Sequence, residues 1–291
     1  MLRRTLFGLG VVAAVGLFAD DVEASIGETI ELRPKAAPYP CPDGAYADPT
    51  VLVFVPAFFA LPKSGRVDFV VHFHGHMTTA KRAIVAHRLR EQMAASRQNA
   101  ILVVPQGPVA AADGDFGKLM KKGGLERLLA EVRRSVATLR KSKAVGRVVL
   151  SAHSGGYRAA AACSTLGRVD VREVYLFDAL YGEVATFAAF AASDKRRKLV
   201  SYAVGGRPRE LGADLAQRLE ARGVPVIREA ADRRVTRGEL VKARAAFLAG
   251  HATHATATYE ELALRECLFA SCLRGKGSAA WHSDHDASRA S

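Results

Sequence analysis

An α/β fold, with a mostly parallel central sheet and helices on both faces, is what this sequence predicts. Three observations predict it. Short runs of β-branched and apolar residues alternate with helix-like stretches of about 10 to 15 residues. Several runs, 67–73 and 100–104 among them, are apolar almost without a break, as strands buried on both faces are. The 291 residues are 49% hydrophobic and 24% charged, which suits a sizeable core and is too apolar for a disordered chain.

The elements follow in order. After a Pro-rich segment at 34–49, residues 50–55 and 67–73 read as strands. The stretch 81–95 reads as a helix leading to a strand at 100–104, which Pro105-Gln106-Gly107-Pro108 stops. In 124–141, Leu125, Leu128, Leu129, Val132, Val136 and Leu139 recur at helical spacing. A strand at 147–151 runs into a helix at 157–166, and 173–177 and 199–204 read as the next strands. A helix at 210–222, strands at 225–228 and 244–248, and a last helix at 259–273 complete the pattern. Thr258 and Glu261 stand where a capping box would start that last helix.

Composition excludes several classes. Twenty-five Gly without a triplet repeat rule out a collagen-like chain, and four Cys are few for a disulfide scaffold of this length. Forty-two Lys+Arg against 29 Asp+Glu give +13, which suits an anionic surface or polymer as partner. The cations are scattered and not interleaved with aromatics, so nucleic acid is not expected. Met1-Leu2-Arg3-Arg4 followed by an apolar run to Ala19 and by Val22-Glu23-Ala24 has the layout of a secretory signal peptide. About 15 apolar residues are too few for a membrane-spanning helix, so cleavage before Ser25 and a secreted or periplasmic protein are expected. The 24 residues removed hold Arg3, Arg4, Asp20, Asp21 and Glu23, which raises the charge from +13 to +14. Residues 25–274 then form the folded domain, and 275–291, small and polar, a disordered tail. Export permits disulfides among Cys41, Cys163, Cys267 and Cys272; Cys163 reads as a small core residue, and Cys41 is expected to meet Cys267 or Cys272.

The chemistry concentrates at Ser151-Ala152-His153-Ser154-Gly155-Gly156, between the strand ending at 151 and the helix starting at 157. A sharp strand-to-helix turn forces its central Ser into a strained conformation and needs small residues two before and two after it, here Ala152 and Gly156. This small-x-Ser-x-Gly turn resembles the nucleophile elbow of the α/β-hydrolase superfamily, in particular secreted bacterial serine esterases and lipases. Ala stands where the superfamily usually has Gly. The resemblance implies the α/β-hydrolase fold over roughly residues 50–273 and makes Ser154 a nucleophile. It also makes His74-Gly75 the His-Gly turn, so that an amide of His76 or Met77, beside Gly75, joins the Gly155 amide in an oxyanion hole.

The same resemblance expects an acid and then a His after Ser154 in chain order. Asp178, at the end of an apolar strand, is one candidate acid, and Glu210, near the turn after the next strand, is the other. Of the two histidines before the last helix, His251 lies nearer the strand and His254 nearer the helix, and spacing does not choose between them as the base. The expected activity is hydrolysis of an ester or amide without a cofactor. Two further readings compete. His72, His74 and His76 alternate along one strand, as Zn²⁺ ligands of a metal-dependent hydrolase would. A non-catalytic protein holding anionic cell-surface polymers would also suit the charge.

Overall fold

A computed structural model describes residues 26–39, 44–230 and 233–275. Among these residues nine strands form one sheet: β1 (Gly27–Leu32), β2 (Val51–Pro56), β3 (Arg66–Phe73), β4 (Ala100–Pro105), β5 (Ala144–His153), β6 (Asp170–Phe177), β7 (Lys198–Ala203), β8 (Val226–Arg228) and β9 (Ala245–Ala249). Their order across the sheet is β1-β2-β4-β3-β5-β6-β7-β9-β8. β2 runs antiparallel to β1 and to β4, and every other pair is parallel. The α/β class and the mostly parallel sheet expected from the sequence are therefore what the chain adopts.

Among the described residues eight helices cover the sheet: α1 (Ala80–Ala86), α2 (Leu89–Ala95), α3 (Gly124–Ser135), α4 (Tyr157–Leu166), α5 (Val184–Ala192), α6 (Gly206–Glu220), α7 (Arg237–Lys242) and α8 (Ala263–Phe269). Alternation along the strands divides the core in two. Val67, Phe69, Val71 and Phe73 of β3, with Val148, Leu150 and Ala152 of β5, pack with α3, α4, α5 and α6. The opposite face, with Val70, Val149, Tyr175 and Phe177, packs with α1, α2, α7 and α8. His72, Ser151 and His153 follow the same alternation and so belong to this second face, where a polar column is built into an apolar layer.

Several elements differ from the sequence expectations for identifiable reasons. The helix expected over 81–95 is two helices, because Arg88 turns left-handed (φ 48°) between them. The helix expected over 124–141 stops at Ser135, where Val136 becomes extended and a 3-10 turn, Ala137–Leu139, follows. The capping box expected at Thr258 and Glu261 does not form. The Thr258 hydroxyl is hydrogen-bonded with His87 Nδ1 instead (2.7 Å), and Glu261 is left-handed (φ 54°). A true capping box starts α7, where Thr236 and Glu239 exchange hydrogen bonds. β1, α5 and α7 carry no sequence expectation at all. The leader, the tail beyond 275 and Cys41 with its expected pairing lie outside the described residues; Cys163 is buried in α4.

Candidate active site

The carboxyl ends of β3, β5, β6, β7 and β9 lie side by side, so the segments leaving them converge, as ligand-binding segments do on open α/β sheets. Ser154 directly follows β5 in a short helical turn with φ 50°. A non-glycine residue pays for that conformation, and the surroundings enforce it. A Cβ on Gly156 would overlap the Phe73 carbonyl, and one on Gly75 would come within 2.8 Å of Ser154 Cβ. Glycine at both positions lets β3 and the turn approach closely enough to fix the serine.

Asp178 leaves β6 with φ 43°, its N–H bonded to the Tyr202 carbonyl at 2.7 Å. Its Oδ1 accepts from the Val204 N–H at 3.0 Å, and its Oδ2 accepts from His254 Nδ1–H at 2.6 Å. The carboxylate is almost fully buried at 4% exposure. His254 Nε2 lies 3.0 Å from Ser154 Oγ. With the proton on Nδ1, held by Asp178, the free Nε2 lone pair accepts the serine hydroxyl proton. Ser154, His254 and Asp178 thus form one continuous hydrogen-bonded chain.

The other two candidates stand apart from it. His251 lines a cavity of about 730 Å³ beyond β7 and β9, in company with Arg209, Arg228 and Arg234, and does not hydrogen-bond to Ser154 or Asp178. Glu210 is an exposed residue of α6 paired with Arg207. Only Ala252 and Thr253 separate His251 from His254, and the path of that loop decides which one reaches the serine.

Of the expected oxyanion residues, Met77 does not fit the role. Its N–H is donated to the Ala111 carbonyl at 2.9 Å. Gly155 is the second residue of the helical turn, so its N–H has no acceptor within that turn. The His76 amide is oriented through His74. Gly107 N–H can only donate, and it donates to His74 Nε2 at 3.0 Å, so His74 is neutral and its Nδ1–H donates to the Gly75 carbonyl at 2.8 Å. Burial, which holds the His74 pKa below its ordinary value, agrees. In a planar trans peptide, fixing the Gly75 C=O toward His74 sends the His76 N–H the opposite way. Gln106 completes this lock, with its side-chain NH₂ on His74 Nε2 (3.2 Å) and its Oε1 on the Ala80 N–H (2.8 Å). Gly75 contributes space, and the exposed His76 ring lies across Gly155.

His72, His74 and His76 do not converge on a common point. His72 bonds Ser151 through Nδ1 (2.9 Å), both His74 ring nitrogens are engaged, and His76 leaves the strand. Among the described residues no three His, Cys, Asp or Glu side chains are grouped to hold a metal ion. The donor set does not fit the zinc site that the alternation suggested.

Sequence reasoning missed His153. Its Nε2–H donates to the His254 backbone carbonyl at 2.7 Å, and its ring packs between those of His254 (4.8 Å) and His87 (4.5 Å). Burial first, and neighbouring charge less, lowers His153 to about 4 and His87 to about 3, so both are neutral. The signal was its place next to Ser154 at the sheet edge, where a buried polar side chain must find a partner. On the open side, Gly114 packs against the Gly155 carbonyl, Asp113 joins Arg158 (3.1 Å) and Tyr46 (3.0 Å), and Tyr181 stands edge-on to the His254 ring at 6.2 Å.

No family model and no curated protein matches the chain. Solved structures do resemble it. A ferulic acid esterase aligns with TM-score 0.55 and 14% identity over 84% of this chain and 97% of its own. A mutant of the feruloyl esterase module from Clostridium thermocellum, complexed with sinapinate, aligns with TM-score 0.53 and 11% identity over 87% and 92%. At such identity the likeness is one of fold.

Proposed function

On the premise that the chain is a member of the α/β-hydrolase superfamily by fold, we propose that it is a serine hydrolase cleaving carboxylic esters. The observation that carries the reading is the hydrogen-bonded chain Asp178, His254, Ser154 at the sheet's carboxyl edge. Ser154 Oγ attacks the ester carbonyl while His254 Nε2 takes its proton, and Asp178 stabilises the imidazolium that forms. The Gly155 and His76 amides hold the oxyanion. Collapse expels the alkoxide, which receives the proton from His254. Water, deprotonated by the same Nε2, then attacks the acyl-serine and releases the acid and the free enzyme. No step calls on a cofactor.

The exposure of the site favours bulky esters. The His254 side chain is 47% exposed and Met77 is 63% exposed. Tyr181, exposed and 6.2 Å from the His254 ring, offers a large side chain that an extended acyl or alcohol group can lie against. We place the mature enzyme outside the cytoplasm on the signal-like layout of residues 1–24; among the described residues no helix is long and apolar enough to cross a membrane.

The test is hydrolysis of p-nitrophenyl esters from acetate to octanoate, beside the matching anilides, by the wild type and Ser154→Ala. Ester cleavage that falls at least about a thousandfold in the variant, at unchanged melting temperature, supports the reading. Equal cleavage by both proteins overturns it.

A further inference from the structure

A groove of about 660 Å³ beside α3 is lined by five cations, Lys35, Lys118, Lys121, Arg127 and Arg134. All five are exposed. Elsewhere the basic residues of this chain are commonly paired, as in Arg158–Asp113, Arg218–Asp214 and Arg237–Glu266. In the groove none of the five forms an ion pair with a described carboxylate. Two acids line it. Glu131 uses both oxygens to accept the Lys35 and Ala36 amides at 2.9 Å, which leaves Glu126 as the carboxylate without such bonds. Arg127 and Arg134 stand seven residues apart on α3, and Lys35, Lys118 and Lys121 come from the segments beside it, so their positive potentials add over the groove. Arg133, behind the groove, has its pKa lowered by burial first and by Arg134 second.

The groove is tied to the serine by a short piece of chain. Lys118 lies four residues, at most about 14 Å of backbone, from Gly114, which packs on the Gly155 carbonyl. Tyr39, on the segment that carries Lys35, bonds the Asp115 carbonyl at 2.5 Å and fixes that connection.

We infer that this groove binds an acidic polysaccharide, with its carboxylates against the five cations. The lining decides the class of occupant. Its apolar residues are Ala36 and Ala130, and no aromatic side chain is present to stack a base or to receive an apolar peptide anchor. A membrane-docking face would combine its cations with exposed large apolar side chains, which the lining lacks. A hydrophilic, regularly charged chain matches a concave cationic track. The binding does not depend on Ser154 chemistry.

Binding of fluorescein-labelled oligogalacturonate, followed by anisotropy at several salt concentrations, tests this. The triple variant Lys121→Glu, Arg127→Glu, Arg134→Glu should bind at least about tenfold more weakly, with the slope of log K against log salt smaller by about two. A control with the same net charge, Lys63→Glu, Lys195→Glu, Arg222→Glu, should bind within about threefold of wild type, and Ser154→Ala like wild type. Fully methyl-esterified oligogalacturonate should not compete. Each variant is first shown to melt like wild type; Lys121→Gln alone, expected to weaken binding about threefold, replaces a triple that does not fold. Equal weakening in both triples, unchanged binding in Lys121→Gln, or preferential binding of wild type to phosphatidylglycerol vesicles would each overturn the inference.

Discussion

Replacing His153 by Phe separates positioning of the base from the base itself. The imidazole donates one hydrogen bond, to the His254 carbonyl at 2.7 Å, and packs between two rings at 4.5 and 4.8 Å. Phe keeps an aromatic ring of similar shape in that slot and removes the donor. A net hydrogen bond of this kind contributes about 1 kcal/mol, so the correctly placed loop becomes about fivefold less populated relative to displaced forms. A shift of roughly 1 Å in a reacting group costs up to about a hundredfold in rate. His153→Phe should therefore lower kcat between about fivefold and a hundredfold, leave KM within about twofold, and destabilise the fold by less than about 1.5 kcal/mol. His153→Gln, which can restore a donor, should recover part of the loss. Steady-state kinetics on one p-nitrophenyl ester, with a thermal melt of each variant, measures all of this. A kcat within twofold of wild type in His153→Phe would refute the argument.

Other expected outcomes follow from the same geometry. His254→Ala and Asp178→Asn should each lower kcat by roughly a thousandfold or more, whereas His251→Ala and Glu210→Gln should stay within about threefold; a reversed ranking in the same assay would reassign the base or the acid. His87 and His153 are held neutral, at about 3 and about 4, against about 6.5 in the unfolded chain, so the unfolded state takes up protons first as pH falls. Stability should therefore be intact above about pH 6.5 and fall toward pH 4, each histidine adding up to about 1.4 kcal/mol per pH unit. Urea titrations across that window should show a shallower dependence in His87→Gln, and an unchanged dependence would contradict the assignment. Treatment with a chelator should leave ester hydrolysis intact, while loss that Zn²⁺ restores would revive the metal reading of His72, His74 and His76.

The parts of the fold that were legible in the sequence are those whose signal is local. β3 and β4 are apolar runs bounded by breakers, and α3 shows its period over Leu125, Leu128, Leu129 and Val132 because one face meets the core and the other meets water. α5, with the sequence VATFAAFAA, is apolar nearly all round and so has no period to read. Thr258 and Glu261 satisfy the local rule for a cap, yet the Thr258 hydroxyl is taken by His87, 171 residues away. Spacing along the chain carries no trace of such a contact.

The candidate site divides along the same line. Ser154, Asp178 and a histidine after β9 each end a strand at one sheet edge, so motif and chain order suffice to bring them under suspicion. Which histidine reaches the serine depends on the course of the loop after Gly250, whose N–H is bonded to the Ala203 carbonyl at 3.0 Å. The loss of Met77 as an oxyanion donor depends on Ala111, in a loop that packs back over the turn. Gln106 was visible as a polar residue behind Pro105, but its work on His74 is a tertiary contact.

The most direct test of the account is whether Ser154 is an activated nucleophile. The folded mature protein is treated with a fluorophosphonate probe, and the adduct is located by mass spectrometry in wild type, Ser154→Ala and heat-unfolded wild type. One adduct is expected, on Ser154, present only in the folded wild-type protein. No adduct in a protein shown to be folded, or an adduct of equal yield in Ser154→Ala, would contradict it.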